Sequence, residues 1–113
     1  MKSMISKSDR IKIDRLIEAV RAPKDSKEME MFLRDLLTEK ELVEFANRWK
    51  AARMLWNKDS YVDIATETGL SSTTIARVSK WLSGKNGGYR LILDRLNSGK
   101  KHHGLSSDGK GLC

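Results

Sequence analysis

The chain has 113 residues and its sequence offers a single cysteine, Cys113, so an internal disulfide is excluded and one compact domain is the expected count. A charged fraction of 33% against a hydrophobic fraction of 39% fits amphipathic helices that each contribute one narrow apolar stripe, part of it completed by a second subunit, and no run of 18 or more apolar residues offers a membrane span. The formal net charge of +7 is uneven, with residues 48–101 strongly basic and residues 22–47 net acidic, so a polyanion is the natural partner of the later segment.

Helical periodicity dominates from the start. Ile13, Leu16, Ile17 and Val20 recur at the i, i+3, i+4, i+7 spacing and predict a first helix that ends before Pro23. Asp25 or Ser26 caps a second helix striped by Met29, Phe32, Leu33, Leu36 and Leu37. Thr38-Glu39-Lys40-Glu41 is a T-x-x-E capping box, in which the threonine oxygen accepts from the Glu41 amide and the Glu41 carboxylate reaches back to the Thr38 amide. A third, long helix follows with Leu42, Phe45, Ala46, Trp49, Ala52 and either Leu55 or Trp56 on one side, closed by Asn57-Lys58-Asp59. Ser60 is the expected N-cap of the fourth helix.

Residues 61–82 read YVDIATETGLSSTTIARVSKWL, a spacing similar to the helix-turn-helix pattern. Ala65 falls where the two helices cross, and Gly69 falls in the turn, where a positive φ is cheap only without a Cβ. Ile64, Leu70, Ile75 and Val78 are the expected shared core. The outer face of the second helix holds short hydroxyls, Ala76 and then long cations, and Ser71, Ser72, Thr73, Thr74, Arg77, Lys80 and Lys85 are the candidate DNA contacts. From Ser71 to Arg90 the bases are Arg77, Lys80, Lys85 and Arg90, and there is no acid.

Ser83-Gly84-Lys85-Asn86-Gly87-Gly88 predicts a loop, with Gly84 in the left-handed turn that ends the helix. Tyr89, Ile92, Leu93 and Leu96 mark a sixth helix, which places a helical domain at residues 1–97 and a disordered basic tail at residues 98–113. His102 and His103 fall in that tail without further ligands at a metal-binding spacing. No apolar stretch near the N-terminus has the length of a secretory signal, and the expected location is the cytoplasm. No metalloprotease, nucleophile-elbow, phosphate-loop or Cys-x-x-Cys motif is present, so no catalytic function is expected.

Two stretches carry a family resemblance. LLTEKELVEFANRWKAARML and TGLSSTTIARVSKWL are similar to the corresponding parts of the tryptophan-repressor-like family, especially its Gram-positive branch, and the resemblance spans about residues 11–96. It implies an all-α, six-helix fold containing the helix-turn-helix, an intertwined homodimer, and double-stranded DNA as partner. The implied function is a sequence-specific transcriptional regulator, a repressor, whose two recognition helices enter major grooves roughly 34 Å apart.

The resemblance also implies a ligand pocket at Thr38, Arg48, Thr74 and Arg77, the positions matching the arginines that sandwich the repressor's indole and the threonines that border it. Val78, however, replaces a glycine and fills volume that an indole ring needs, which argues against tryptophan as cofactor and leaves the effector unnamed. Two other functions fit a helical chain of this charge: a subunit that places a transposition or replication-initiation complex on DNA, and a protein-binding helical module that uses the acidic 22–47 segment.

Overall fold

The computed structural model of the chain describes residues 4–84 and 87–103, with side chains through Ser98. Six helices and no strand occur among the described residues. They are α1 (Lys7–Arg21), α2 (Ser26–Leu36), α3 (Glu39–Trp56), α4 (Tyr61–Thr68), α5 (Ser72–Ser83) and α6 (Gly88–His103). The chain divides into two compact units, residues 1–42 and 43–113.

In the first unit the helix starts are set by side-chain caps. Ser6 accepts from the Asp9 amide at 3.1 Å, and Asp25 accepts from the Glu28 amide at 3.0 Å while the Glu28 carboxylate takes the Lys24 amide at 2.7 Å. At Thr38 the capping box is reciprocal, with Glu41 N to Thr38 Oγ1 at 3.0 Å and Thr38 N to Glu41 Oε1 at 2.9 Å. Each cap satisfies a backbone donor that the helix cannot. The apolar stripes are present, yet no described residue of this unit is buried: Ile11, Leu16, Ile17 and Val20 of α1 and Met31 and Leu36 of α2 are exposed.

In the second unit, α3 supplies two consecutive alanines, Ala51 and Ala52, that are fully buried. Ala51 packs with Ile64 of α4 and Ile75 of α5, with Met54, Leu55, Ala65 and Leu70 around them. Ala52 packs with Val78 of α5 and Leu93 of α6, beside Trp49, Leu55, Trp56, Leu82 and Tyr89. Adjacent helix positions are about 100° apart, so the two alanines look into two different clusters. Val78 therefore leaves the expected α4–α5 core and joins α3 and α6 instead.

The turns show which backbone positions are special. Gly69 ends α4 at φ 72° and donates to the Ala65 carbonyl at 2.8 Å. Lys58 ends α3 at φ 69°, and the pair Asp59 N to Met54 O (2.9 Å) and Lys58 N to Leu55 O (3.0 Å) forms a Schellman cap with a lysine where glycine is usual. Gly84, expected in a left-handed turn, is extended at φ −70° and ψ 142°. The glycine that this loop requires is Gly87, where an added Cβ would lie 2.5 Å from the Trp81 carbonyl oxygen. Helix α6 continues to His103, beyond the expected start of the tail at residue 98; residues 104–113 lie outside the described residues. No helix among the described residues is long and apolar enough to cross a membrane.

Gly69 and Lys58 share one backbone region but differ in side chain, which gives paired expectations. Nothing lies within 4 Å of a Cβ built on Gly69, so Gly69→Ala measures backbone strain alone and should lower stability by about 1 kcal/mol. Lys58→Gly relieves the same strain and should not lower it. Denaturant midpoints at constant m-value check both; a stabilised Gly69→Ala variant contradicts the turn.

Candidate nucleic-acid interface

Helix α5 is held by its inner face and presents its outer one. Ile75 and Val78 are buried, while Ser72, Thr73, Ala76, Arg77 and Lys80 are exposed. On a helix of 3.6 residues per turn those exposed positions share one face, opposite the two anchors. The angle at which α5 leaves α4 is fixed by Gly69 and by Thr68, which is 7% exposed. The Thr68 hydroxyl donates to the Ile64 carbonyl at 2.7 Å and accepts from the Leu70 amide at 3.2 Å, so the buried oxygen is satisfied in both roles.

The predicted contact residues separate into two groups. Ser71 is the N-cap of α5: its Oγ accepts from the Thr74 amide at 3.1 Å and lies 3.1 Å from Thr74 Oγ1, to which it donates. Both hydroxyls are therefore engaged in starting the helix. Ser72, Thr73, Arg77 and Lys80 have no such commitment and face outward. Lys85 lies outside the described residues. Ala76 is exposed on the same face, as its spacing predicts, and joins the candidate contacts. Polarity alone does not nominate it, because alanine carries no hydrogen-bonding group.

The charge pattern is set by what the first turn lacks. Helices α1 to α4 each carry an acid in their first turn, at Asp9, Glu28, Glu39 with Glu41, and Asp63, whereas α5 carries none. An acid there would oppose a phosphate approaching the positive end of the helix dipole. On α4, Val62 is 75% exposed, while Ala65 packs against the first cluster and serves the crossing of the two helices.

Three of the four predicted pocket residues meet. Arg48, Thr74 and Arg77 line a cavity of about 160 Å³ together with Val78, Trp81 and Tyr89. Thr38 belongs to the first unit, where its hydroxyl is engaged in the capping box. The Arg48 guanidinium is paired with Glu44 at 2.8 Å and lies over the Phe45 ring at 5.6 Å. Tyr89 stacks on Trp49 with ring centroids 6.3 Å apart. The cavity beside the two arginines is thus walled by bulky groups of the same chain, of which the sequence pattern singles out only Val78. Trp81 and Tyr89 escape a sequence reading because their meeting depends on how α6 returns after the loop.

The glycine turn, the buried anchors of α5 and its outward basic face define a helix-turn-helix protein. Residues 11–97 match the family model described as Trp repressor protein, and the chain belongs to that family. It is similar to the uncharacterised protein YerC of Bacillus subtilis, 39% identical over 84 residues that cover 74% of this chain and 81% of YerC. Among solved structures it resembles a TrpR-like protein from Eubacterium eligens, with a TM-score of 0.71 and 34% identity over 77% of this chain and 90% of that one. It also resembles a candidate Trp repressor from Staphylococcus aureus, with a TM-score of 0.70 and 30% identity over 82% of this chain and 96% of that one. The family is one of DNA-binding regulators rather than enzymes.

The different tasks of neighbouring hydroxyls can be measured. Ser71→Ala should cost about 1 kcal/mol of stability by removing the cap, whereas Ser72→Ala should stay within about 0.5 kcal/mol. Thermal denaturation of the two variants compares them directly, and equal losses would contradict the cap assignment.

Proposed function

We propose that this protein is a sequence-specific transcriptional repressor that binds double-stranded DNA as a homodimer, with α5 of each subunit in the major groove. The observation that carries the reading is the outward face of α5, where Ser72, Thr73, Ala76, Arg77 and Lys80 are exposed above the buried Ile75 and Val78. Small side chains at the leading end permit close approach to base edges, and the cations that follow reach phosphate. The absence of any acid from Ser71 to Arg90 keeps that face attractive to a polyanion along its length.

The homodimer is supported by the apolar surface of the first unit. Within residues 4–42, Ile13, Leu16, Ile17 and Val20 form a stripe along one helix with none buried. A stripe of that size remains in water at a cost of about 25 cal/mol per Å² unless a second surface covers it. A self-complementary contact between two copies satisfies both stripes at once and sets two recognition helices on one duplex.

Tryptophan is not the expected effector. The cleft of about 160 Å³ that Arg48, Thr74 and Arg77 line is bordered by Val78, Trp81 and Tyr89, and the Val78 methyls occupy volume that an indole ring needs.

Selection of duplexes from a random pool should enrich near-palindromic sites with half-site centres about one helical turn apart. In Arg77→Ala with Lys80→Ala, affinity for the selected site should fall, and the slope of log K against log salt should shrink by about 0.9 for each phosphate that is no longer neutralised. An unchanged affinity and slope would overturn the assignment. Saturating L-tryptophan should leave the operator dissociation constant unchanged in a fluorescence-anisotropy titration; a gain in affinity would overturn the argument against tryptophan.

A further inference from the structure

The chemistry available at the leading end of α5 is narrow. Between Ser71 and Lys80 there is no Asn or Gln, whose amide fork reads adenine, and no Asp or Glu, whose carboxylate accepts from cytosine. Arg77 carries the fork that reads guanine, but it borders the cavity shared with Arg48, Trp81 and Tyr89, on the flank of the helix. Ser71 and Thr74 are bonded to each other and to the helix start. What remains exposed in the first two turns is the Ser72 hydroxyl, the Thr73 hydroxyl with its γ-methyl, and the Ala76 methyl.

A hydroxyl both donates and accepts, so by itself it does not choose among base edges. A methyl group does choose. In the major groove only thymine presents a methyl, at C5, and apolar contact with it distinguishes a T·A pair from the other three. Thr73 and Ala76 are three residues apart on one helix and hence neighbours on its surface.

Resting on the reading of α5 as the DNA-facing helix, we propose that Thr73 and Ala76 form the specificity-determining contact of this protein, a two-methyl patch that selects thymine by its C5-methyl. Ser72 then hydrogen-bonds beside the patch without selecting, and Arg77 and Lys80 hold the helix in register on phosphate. The enriched site is therefore expected to carry a thymine at a symmetric position of each half-site.

The test uses the full chain and the duplex enriched by selection. Each thymine is replaced in turn by deoxyuridine, which removes the methyl and leaves every hydrogen-bonding group in place. At one symmetry-related position the exchange should lower affinity about fourfold per half-site, the equivalent of ~0.8 kcal/mol for one buried methyl. Thr73→Ser removes the γ-methyl and keeps the hydroxyl, and Ala76→Gly removes the other methyl. In at least one of these variants the thymine-to-uracil exchange should have no further effect at that position.

The Thr73→Ser change is mild enough to keep the test valid if the glycine variant is too unstable to bind. Uracil exchange without effect at every position would overturn the proposal, as would a full loss that persists in both variants; in either case sequence-selective binding itself still stands. Failure to enrich any duplex would overturn both this proposal and the DNA-binding reading.

Discussion

The second unit depends on two adjacent methyl groups. Ala51 and Ala52 are the points at which α3 lets other helices approach its backbone, one toward α4 and α5, the other toward α5 and α6. A larger residue at either position would push a helix outward, and overpacking of this kind costs about 1–3 kcal/mol. Because α5 packs at both alanines, through Ile75 at one and Val78 at the other, its position is fixed from two directions. A helix held at a single contact would pivot. One anchored on two clusters presents its outer face at a defined tilt.

That anchoring explains how the residues of α5 are apportioned. The positions pointing inward are branched and apolar, the positions at the start are committed to the cap, and the outward ones are small or cationic apart from Trp81 near the end, which is 48% exposed. Each class follows from a different requirement: burial, satisfaction of free backbone amides, and access to a partner surface. Val78 links the first and third requirements. It is a core residue for Leu93 and Ala52 and at the same time a wall of the cavity between the two arginines. The same methyl groups that tie α5 to α6 also border that cleft.

Much of this is legible in the sequence where the determinant is local. The capping box at Thr38, the cap at Ser60 and the positive φ at Gly69 depend on residues three or four apart, and all three are present as read. What cannot be read depends on elements distant in the chain. Ala51 lies off the stripe drawn through Leu42, Phe45 and Trp49, and it is buried only because α4 and α5 arrive at that side. Gly84 directly follows the helix and so attracts the left-handed turn, whereas the tight approach falls three residues later, at Gly87, where the returning chain passes the Trp81 carbonyl. Ser71 and Thr74 look like free hydroxyls beside Ser72 and Thr73, since composition does not distinguish a hydroxyl that caps from one that faces outward. Helix α6 outruns its apolar stripe because backbone hydrogen bonds continue where side-chain patterning has ended.

The placement of the aromatic residues has an optical consequence. Trp49, Trp56 and Trp81, with Tyr61 and Tyr89, all fall within residues 43–113, and the first unit holds only Phe32. Intrinsic tryptophan emission thus reports on residues 43–113 alone, while far-ultraviolet dichroism records the helices of both units. Two denaturation curves from one sample, one for each signal, separate the behaviour of the two units without a label. Where the curves coincide, the whole chain unfolds as one cooperative body; where they part, the difference is the independent melting of residues 1–42.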